Sequence, residues 1–434
     1  MKLNTKRTIL IGFAFLSICA FWQFYDNEIP KILKYNFNLG ETATGVVMAL
    51  DNVLALFLLP LFGAVSDKTD SRLGKRIPYI LIGTALAVVF LFTLIVVAKP
   101  SGNLIFFIVI LLFLLLAMGI YRSPAVSLMP DLTPAPLRSS GNAIINLMGA
   151  LGGVYTLIMT MLLMKSAADP SLTNYIPLML SVAGIMVLAV VLVFFTINEK
   201  KIKEEIEKEG GLQSLGEEIE DKEKQSGSEK LPKDVFKSLA FLLMSVAFWY
   251  MAYNAVTTAY TRYVSEVWGL HDGGYAKTML VAVGAAVLSY VPIGMISSKV
   301  GRKKAIMAGV VIMTFCYLVG SFMGSYSPSI NIFFALLGVG WAAINVNSYP
   351  MVVEMSKAGD IGKYTGTYYT FSMAAQVLTP ILSGFLLEHV SYRTLFPYAV
   401  FFSALAFCTM LNVKHGDVKP PKKDNILEHF DVED

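Results

Sequence analysis

Asp26 stands inside the first long apolar run of this chain, among Trp22, Gln23, Tyr25 and Asn27, and Asp51 stands inside the next run. A later run ends near Arg122. An ionisable side chain at the centre of a bilayer helix costs roughly 2.5–3.5 kcal/mol on insertion scales, so such groups persist where they face water or one another. Two carboxylates and one guanidinium in the same half of a greasy chain have the chemistry of an ion and solute pathway. Asp26, Asp51 and Arg122 are the candidate cation-coupling groups. Trp22, Gln23 and Asn27 are candidate solute contacts beside them.

The elements that must position these groups follow from composition. Of 434 residues, 55% are hydrophobic and only 15% are charged, where a soluble domain would carry about a quarter charged. The apolar residues fall in blocks of about 20, the length that spans hydrocarbon as a helix. Twelve spans are predicted, at 8–29, 42–66, 77–98, 103–124, 140–164, 174–197, 236–260, 275–298, 305–325, 330–350, 364–388 and 394–413. The fold class is therefore an all-α membrane protein. A Lys/Glu-rich stretch divides it into bundles 1–197 and 235–413, with a linker at 198–234 and a tail at 414–434. That charge run reads as a solvated linker with no role of its own. The first residues, through Arg7, read as the start of a span and not as a cleaved leader, because no small-residue site follows.

Lys and Arg fix the expected orientation. One set of connections holds Lys6, Arg7, Lys68, Arg72, Lys75, Arg76, Arg138, the linker lysines, Lys299 and Arg302–Lys304, while the opposite set holds scattered cases such as Lys31 and Arg393. The positive-inside rule then places both termini and the linker in the cytoplasm, with the chain in the cell membrane. The net charge of +4 lies between the spans, which gives no reason to expect a nucleic-acid partner. Cys19, Cys316 and Cys408 lie in apolar segments without a ligand spacing and read as small hydrophobes. No metal, no cofactor and no catalysis are expected, since nucleophile–base pairs and phosphate loops do not occur in the sequence. The partners expected are a small-molecule solute and the bilayer, with the chain acting as a monomer.

The two halves repeat. Phe21-Trp22 matches Phe248-Trp249, and Asn27 matches Asn254. Gly63-x-x-x-Asp67 followed by Arg72-x-Gly74-Lys75-Arg76 matches Gly294-x-x-x-Ser298 followed by Gly301-Arg302-Lys303-Lys304. Pro130-Asp131 matches a turn at Glu354. The mismatches carry information: Asp26 aligns with Tyr253, Asp51 with an apolar stretch near Ala282, and Arg122 with about Asn345. A division of labour follows. The first bundle handles the coupling ion, and Tyr253, Asn254, Asn345, Asn347 and Gln376 in the second offer hydrogen bonds to a neutral solute near mid-membrane.

At ~1.5 Å per residue, Asp26 lies about 27 Å from the start of span one and Asp51 roughly 22 Å from the end of span two, so the carboxylates share a level. Two close carboxylates do not both ionise easily, so one would carry a proton near neutral pH. Arg122 is expected to reach toward Asp51 but hardly toward Asp26. The competing readings are an interhelical hydrogen bond for Asp51, an interfacial position at the helix end for Asp26, and a snorkelling Arg122. In the loop after span two, Gly63, Asp67, Arg72, Gly74, Lys75 and Arg76, with Asp131 and Arg138 as partners and Gly301 and Arg302 as the second copy, form a candidate cytoplasmic gate built on charge pairs. Gly149, Gly152 and Gly153 in span five permit close helix packing.

Twelve spans, a central linker and the duplicated Gly-x-x-x-Asp…Gly-Arg-Lys loop resemble the major facilitator superfamily across essentially the whole chain. The first copy, Pro60-Leu61-Phe62-Gly63 through Asp67 to Ile77-Pro78, with Gln23-Phe24 and Arg122-Ser123-Pro124, resembles the glycoside–pentoside–hexuronide:cation symporters and the related proton-coupled sucrose transporters. The resemblance implies symport of a mono- or disaccharide with a cation by alternating access. Where melibiose-type members have a carboxylate before the proline, this chain has Leu59, which favours H+ over Na+ and leaves Na+ open. Span four, from Ile105 to Tyr121, lacks the acidic residue of the sucrose transporters, so Asp26 or Asp51 would have to serve in its place. Two other functions fit the same scaffold: efflux of amphipathic compounds, and sensing of a solute without moving it.

Overall fold

The computed structural model describes residues 3–99, 102–134, 137–165, 170–208, 232–270, 273–355 and 361–417. Twelve of its helices are long and apolar enough to cross a membrane. They are α1 (Thr5–Tyr35), α2 (Glu41–Asp67), α3 (Ile77–Val97), α4 (Leu104–Asp131), α5 (Arg138–Leu163), α6 (Ile176–Thr196), α7 (Lys233–Trp268), α8 (Tyr275–Val300), α9 (Arg302–Phe322), α10 (Ile330–Glu354), α11 (Ile361–His389) and α12 (Leu395–Leu411). Large apolar side chains such as Phe57, Ile105, Phe195 and Phe322 lie on the outside of these helices. Faces of that kind are stable against lipid and not against water. The protein is a multi-pass, all-α membrane protein.

Local chemistry sets several boundaries. The Asn4 side chain accepts from the Arg7 N–H at the start of α1, and Asn103 accepts from Ile105 and Phe106 at the start of α4. Pro78 and Pro177 sit in the first turns of α3 and α6, where the missing N–H is no loss. Gly269 ends α7 with φ 68°, a left-handed cap. Three spans run further than hydropathy placed them. α1 continues through Pro30 to Tyr35, α4 through Pro124 and Pro130 to Asp131, and α7 to Trp268. Proline is tolerated inside a packed membrane helix because neighbouring groups take up the freed backbone bond, so those prolines are poor stop signals here.

Packing sorts the chain into two compact units. The first comprises Met1–Gly40, Leu50–Gly216 and His271–Lys277, and the second comprises Glu41–Ala49, Glu217–Leu270 and Thr278–Asp434. Within the first, α1 packs on α5 and α6, and α3 on α4 and α6. Within the second, α7 packs on α11 and α12, and α9 on α10 and α12. The same scheme appears in each half, so the repeat read in the sequence is also a repeat of packing. Within the spans, a division by packing differs from one by sequence at two places, the first nine residues of α2 and the first three of α8. The linker opens as a helix at Glu199–Lys208, and its residues 209–231, like tail residues 418–434, lie outside the described residues.

Candidate functional site

In the first unit, glycines let α5 lie close against α1. A Cβ on Gly152 would stand 2.0 Å from the Leu16 carbonyl oxygen, and one on Gly149 would stand 2.9 Å from Cys19 Sγ. Thr156 donates to the Ala20 carbonyl at 2.9 Å, tying the two helices just before the polar stretch of α1. α4 is fixed on either side of Arg122. Tyr121, fully buried, donates to the Ala14 carbonyl of α1 at 2.9 Å, and Ser123 donates to the Leu59 carbonyl of α2 at 2.7 Å. With its neighbours anchored, Arg122 lines a small, open-sided pocket together with Trp22, Asp51, Leu58, Met118 and Gly119.

Asp51 and Arg122 both line this pocket, and Asp26 lies within electrostatic reach of both. The charges of the two aspartates repel one another and Arg122 attracts both, while Tyr25 feels both carboxylates. Arg122 Cζ lies 5.6 Å from the centre of the Trp22 ring, a cation–π contact that helps hold a cation among apolar groups. α1 runs on to Tyr35, so Asp26 lies well inside the helix and not at its end. Asp51 Oδ1 accepts from the backbone N–H of Asn52 at 2.6 Å and from its side chain at 2.8 Å, bonds within its own helix.

The other first-half candidates divide. Gln23 lies beside Gly153, its Oε1 3.5 Å from where a Cβ would be. Asn27 is buried and its Nδ2 donates to the Gln23 carbonyl at 2.7 Å, a bond along the helix. Among the described residues, the buried Nε1 of Trp22 has no hydrogen-bond partner.

In the second unit, Tyr253 of α7 stacks flat on Trp341 of α10, with centroids 3.7 Å apart and planes 3° apart. Tyr250 meets the same Trp341 edge-on at 5.4 Å. One helical turn beyond Trp341, Asn345 is buried at 3% exposure, and among the described residues neither end of its amide has a hydrogen-bond partner. Asn254 Nδ2 is likewise unpartnered. A buried amide lacking a partner is costly unless something arrives to pair with it. Asn347 is engaged differently, donating to Ser297 Oγ at 2.9 Å and to the Ala343 carbonyl at 2.8 Å, which ties α10 to α8. Gln376 is half-buried on α11. The sequence reading missed Trp341, whose place one turn before Asn345 was the available signal.

The loop after α2 closes on Arg76. Its Nε donates to Asp131 Oδ2 at 2.8 Å, and its other nitrogens donate to Asp67 and Ser66. Burial alone would lower the Arg76 guanidinium, but its hydrogen bond to Asp131 and the charges of Asp131 and Asp67 outweigh that and hold it above its ordinary value. Gly63 belongs to the same cluster through its carbonyl, which accepts from Ser66 Oγ at 2.9 Å. The second copy repeats the pairing as Arg302 with Glu354. Arg72 and Lys75 are exposed, and Arg138 turns its Nε to the Thr133 carbonyl at 3.4 Å.

A further group was hidden from the sequence reading. Glu199, the first residue of the linker helix, is buried at 1% exposure, and its carboxylate accepts from the backbone N–H groups of Lys75, Arg76 and Ile77 at 2.7–2.9 Å. It caps α3, where the helix dipole favours a negative charge. Gly74 makes room for it with φ 105°, and a Cβ there would stand 2.4 Å from Glu199 Cδ. Gly74→Ala should therefore destabilise the protein by about 2 kcal/mol or more, from backbone strain plus displacement of the cap. Thermal melting in detergent would show it, and an unchanged melting temperature would mean that the cap is idle.

Among the described residues no group of three or more His, Cys, Asp or Glu is placed to hold a metal ion. The sequence profile described as Major Facilitator Superfamily matches residues 11–290 and 272–430. The uncharacterized MFS-type transporter Rv1877 of Mycobacterium tuberculosis is 26% identical over 191 residues, 43% of this chain and 26% of that protein. The chloramphenicol resistance protein CraA of Acinetobacter baumannii is 26% identical over 111 residues, 26% of each chain. The chain thus spans only about a quarter of the length of either relative. The crystal structure of the nucleoside transporter NupG superposes with a TM-score of 0.65 over 95% of this chain and 100% of that one, at 16% identity, a likeness of fold.

Proposed function

The chain belongs to the Major Facilitator Superfamily, and from that premise we propose that it is a secondary active transporter that couples a proton to the inward movement of a sugar-like solute by alternating access. The observation that carries this reading is that Asp51 and Arg122 line one pocket in the first unit, with Asp26 within electrostatic reach of both. Two carboxylates facing one guanidinium leave one negative charge uncompensated, which a proton can neutralise. The unpaired amides of Asn345 and Asn254 and the Tyr253–Trp341 stack supply a neutral surface that suits hydroxyl groups and the apolar face of a pyranose ring. The excess of Lys and Arg in one set of loops supports a plasma-membrane protein with both termini cytoplasmic, and the Arg76 network is then the charge lock on that side. The protein acts as a monomer.

The test is uptake of a panel of labelled mono- and disaccharides into proteoliposomes under an imposed proton or sodium gradient. Accumulation driven by protons supports the reading, and uptake indifferent to either gradient overturns the coupling. Asn345→Ala should weaken solute binding about 10-fold, the loss of one or two hydrogen bonds to a buried polar partner, and leave the pH dependence of uptake intact. Loss of the pH dependence instead would refute the division of labour.

A second reading has one observation in its favour. The pocket beside Arg122 is walled largely by Leu, Ala and Met, and the relative CraA is named for chloramphenicol resistance. Proton-driven exit of a lipophilic compound, with no sugar uptake, would select it.

A further inference from the structure

The face of α10 that bears Trp341 and Asn345 continues for one more turn to Tyr349, since residues four apart stack along a helix. On α11, Thr365, Tyr369, Ser372 and Gln376 follow the same periodicity and share a face. The two faces meet. Tyr349 and Tyr369 have ring centroids 6.4 Å apart with planes at 34°, and the Tyr349 hydroxyl lies 3.0 Å from Thr365 Oγ1. Tyr368, 1% exposed, packs edge-on against both rings at 5.6 Å, and its hydroxyl lies 3.0 Å from Ser348 Oγ. All of these residues belong to the second unit.

Trp341, Tyr349, Thr365, Tyr369 and Gln376 are each half-buried. The exposed large side chains of the same two helices, such as Ile332, Leu378 and Phe385, are of the kind that lipid accepts. Amides, hydroxyls and tyrosine rings left half-open at membrane depth suit a water-lined surface instead. No Asp, Glu, Lys, Arg or His occurs in 341–349 or in 365–376, so a charged cargo would find no counter-ion along this strip. A neutral ring would find aromatic faces to lie against and hydroxyls to bond. At ~1.5 Å per residue, Tyr349 lies about 12 Å along α10 from Trp341, toward the end where Arg302 pairs with Glu354. A single hexose ring does not span that distance.

We propose that Tyr349 and Tyr369, with Thr365 fixing the Tyr349 hydroxyl, form a second station for the transported sugar, separate from the one at Asn345 and the Tyr253–Trp341 stack. This station rests on the sugar reading and deepens it, because cargo released from Asn345 gains a second stop on the same unit. With no charged group along the strip, the station binds cargo and takes no part in proton coupling.

Full-length protein with Cys19, Cys316 and Cys408 replaced by Ser receives one reporter cysteine. It is either Thr257→Cys, one turn from Tyr253, or Gly366→Cys, beside Thr365 where an added Cβ meets open space. Each is labelled with a polar maleimide in rising concentrations of glucose, sucrose, maltose or melibiose, and a transported sugar should protect both. Asn345→Ala should raise the sugar concentration that half-protects Thr257→Cys about 10-fold and leave that for Gly366→Cys within about 2-fold. Tyr349→Leu should do the reverse, by about 5-fold for the loss of one aromatic platform. Melting temperature is followed throughout, and should Tyr349→Leu not fold, Tyr369→Leu meets the same outcomes. Protection of Thr257→Cys alone, or a joint shift of both cysteines in either variant, would overturn the second station and leave the sugar reading standing. Protection of neither cysteine by any of these sugars would overturn both.

Discussion

Asp51→Asn should yield a protein that still carries solute down its gradient but no longer concentrates it. Asparagine keeps the shape of the side chain and can still accept both bonds from Asn52, at 2.6 and 2.8 Å in the native protein, so the fold is expected to survive. What is lost is a group able to exchange a proton, and with it the opposition between two carboxylates that makes a proton welcome beside Arg122. Each pH unit across the membrane is worth about 1.4 kcal/mol per proton, a factor of ten. With a two-unit gradient and one proton per solute, the native protein should therefore accumulate solute about 100-fold and the variant about 1-fold. Asp26→Asn should behave the same way. Solute counterflow without a gradient is the control, and it should stay within a few-fold of native. A variant that still concentrates solute would remove Asp51 from the coupling path.

The second large effect is expected at Arg76, whose side chain is only 5% exposed and binds groups on α2 and α4 together. Arg76→Ala leaves Asp131, Ser66 and the Gly63 carbonyl without their shared donor. Breaking a buried pair costs roughly 3–5 kcal/mol, but Asp67 is 60% and Asp131 27% exposed, so water replaces part of what is lost. A destabilisation of about 2–3 kcal/mol is the expected outcome. Arg76→Lys should recover only part of it, because an ammonium cannot serve Asp67, Asp131 and Ser66 with a planar fork. Thermal melting of the three proteins checks the order. Equal melting temperatures for native and Arg76→Ala would show that the network contributes nothing.

How far the sequence led can be judged residue by residue. The spans were legible because about 20 consecutive apolar residues have few other uses. The repeat was legible because the Gly63–Arg76 loop recurs at Gly294–Lys304, and the partner of each arginine, Asp131 or Glu354, was already marked at the matching turn. That Asp26 and Asp51 could share a level followed from helical rise alone. What escaped were properties that depend on neighbours in space. Glu28 and Lys31 were passed over because hydropathy placed the end of the first span beside them, whereas α1 carries them into a buried pair. Glu199 looked like one more charge in a solvated run, and its burial comes from backbone N–H groups more than a hundred residues earlier. Asn345 and Asn347 are two residues apart and read alike in sequence. They face different neighbours: Asn347 is engaged with Ser297, and the Asn345 amide is unpartnered.

The central claim is that Asp26 and Asp51 take up a proton as cargo crosses. It is tested most directly by recording internal pH with an entrapped dye while the sugar panel is added to proteoliposomes. A transported sugar should acidify the interior of vesicles bearing native protein, with about one proton entering per solute. The Asp26→Asn/Asp51→Asn double variant should admit the same sugar with no change in internal pH. Sugar entry without acidification in the native protein, or acidification that persists in the double variant, would contradict the account.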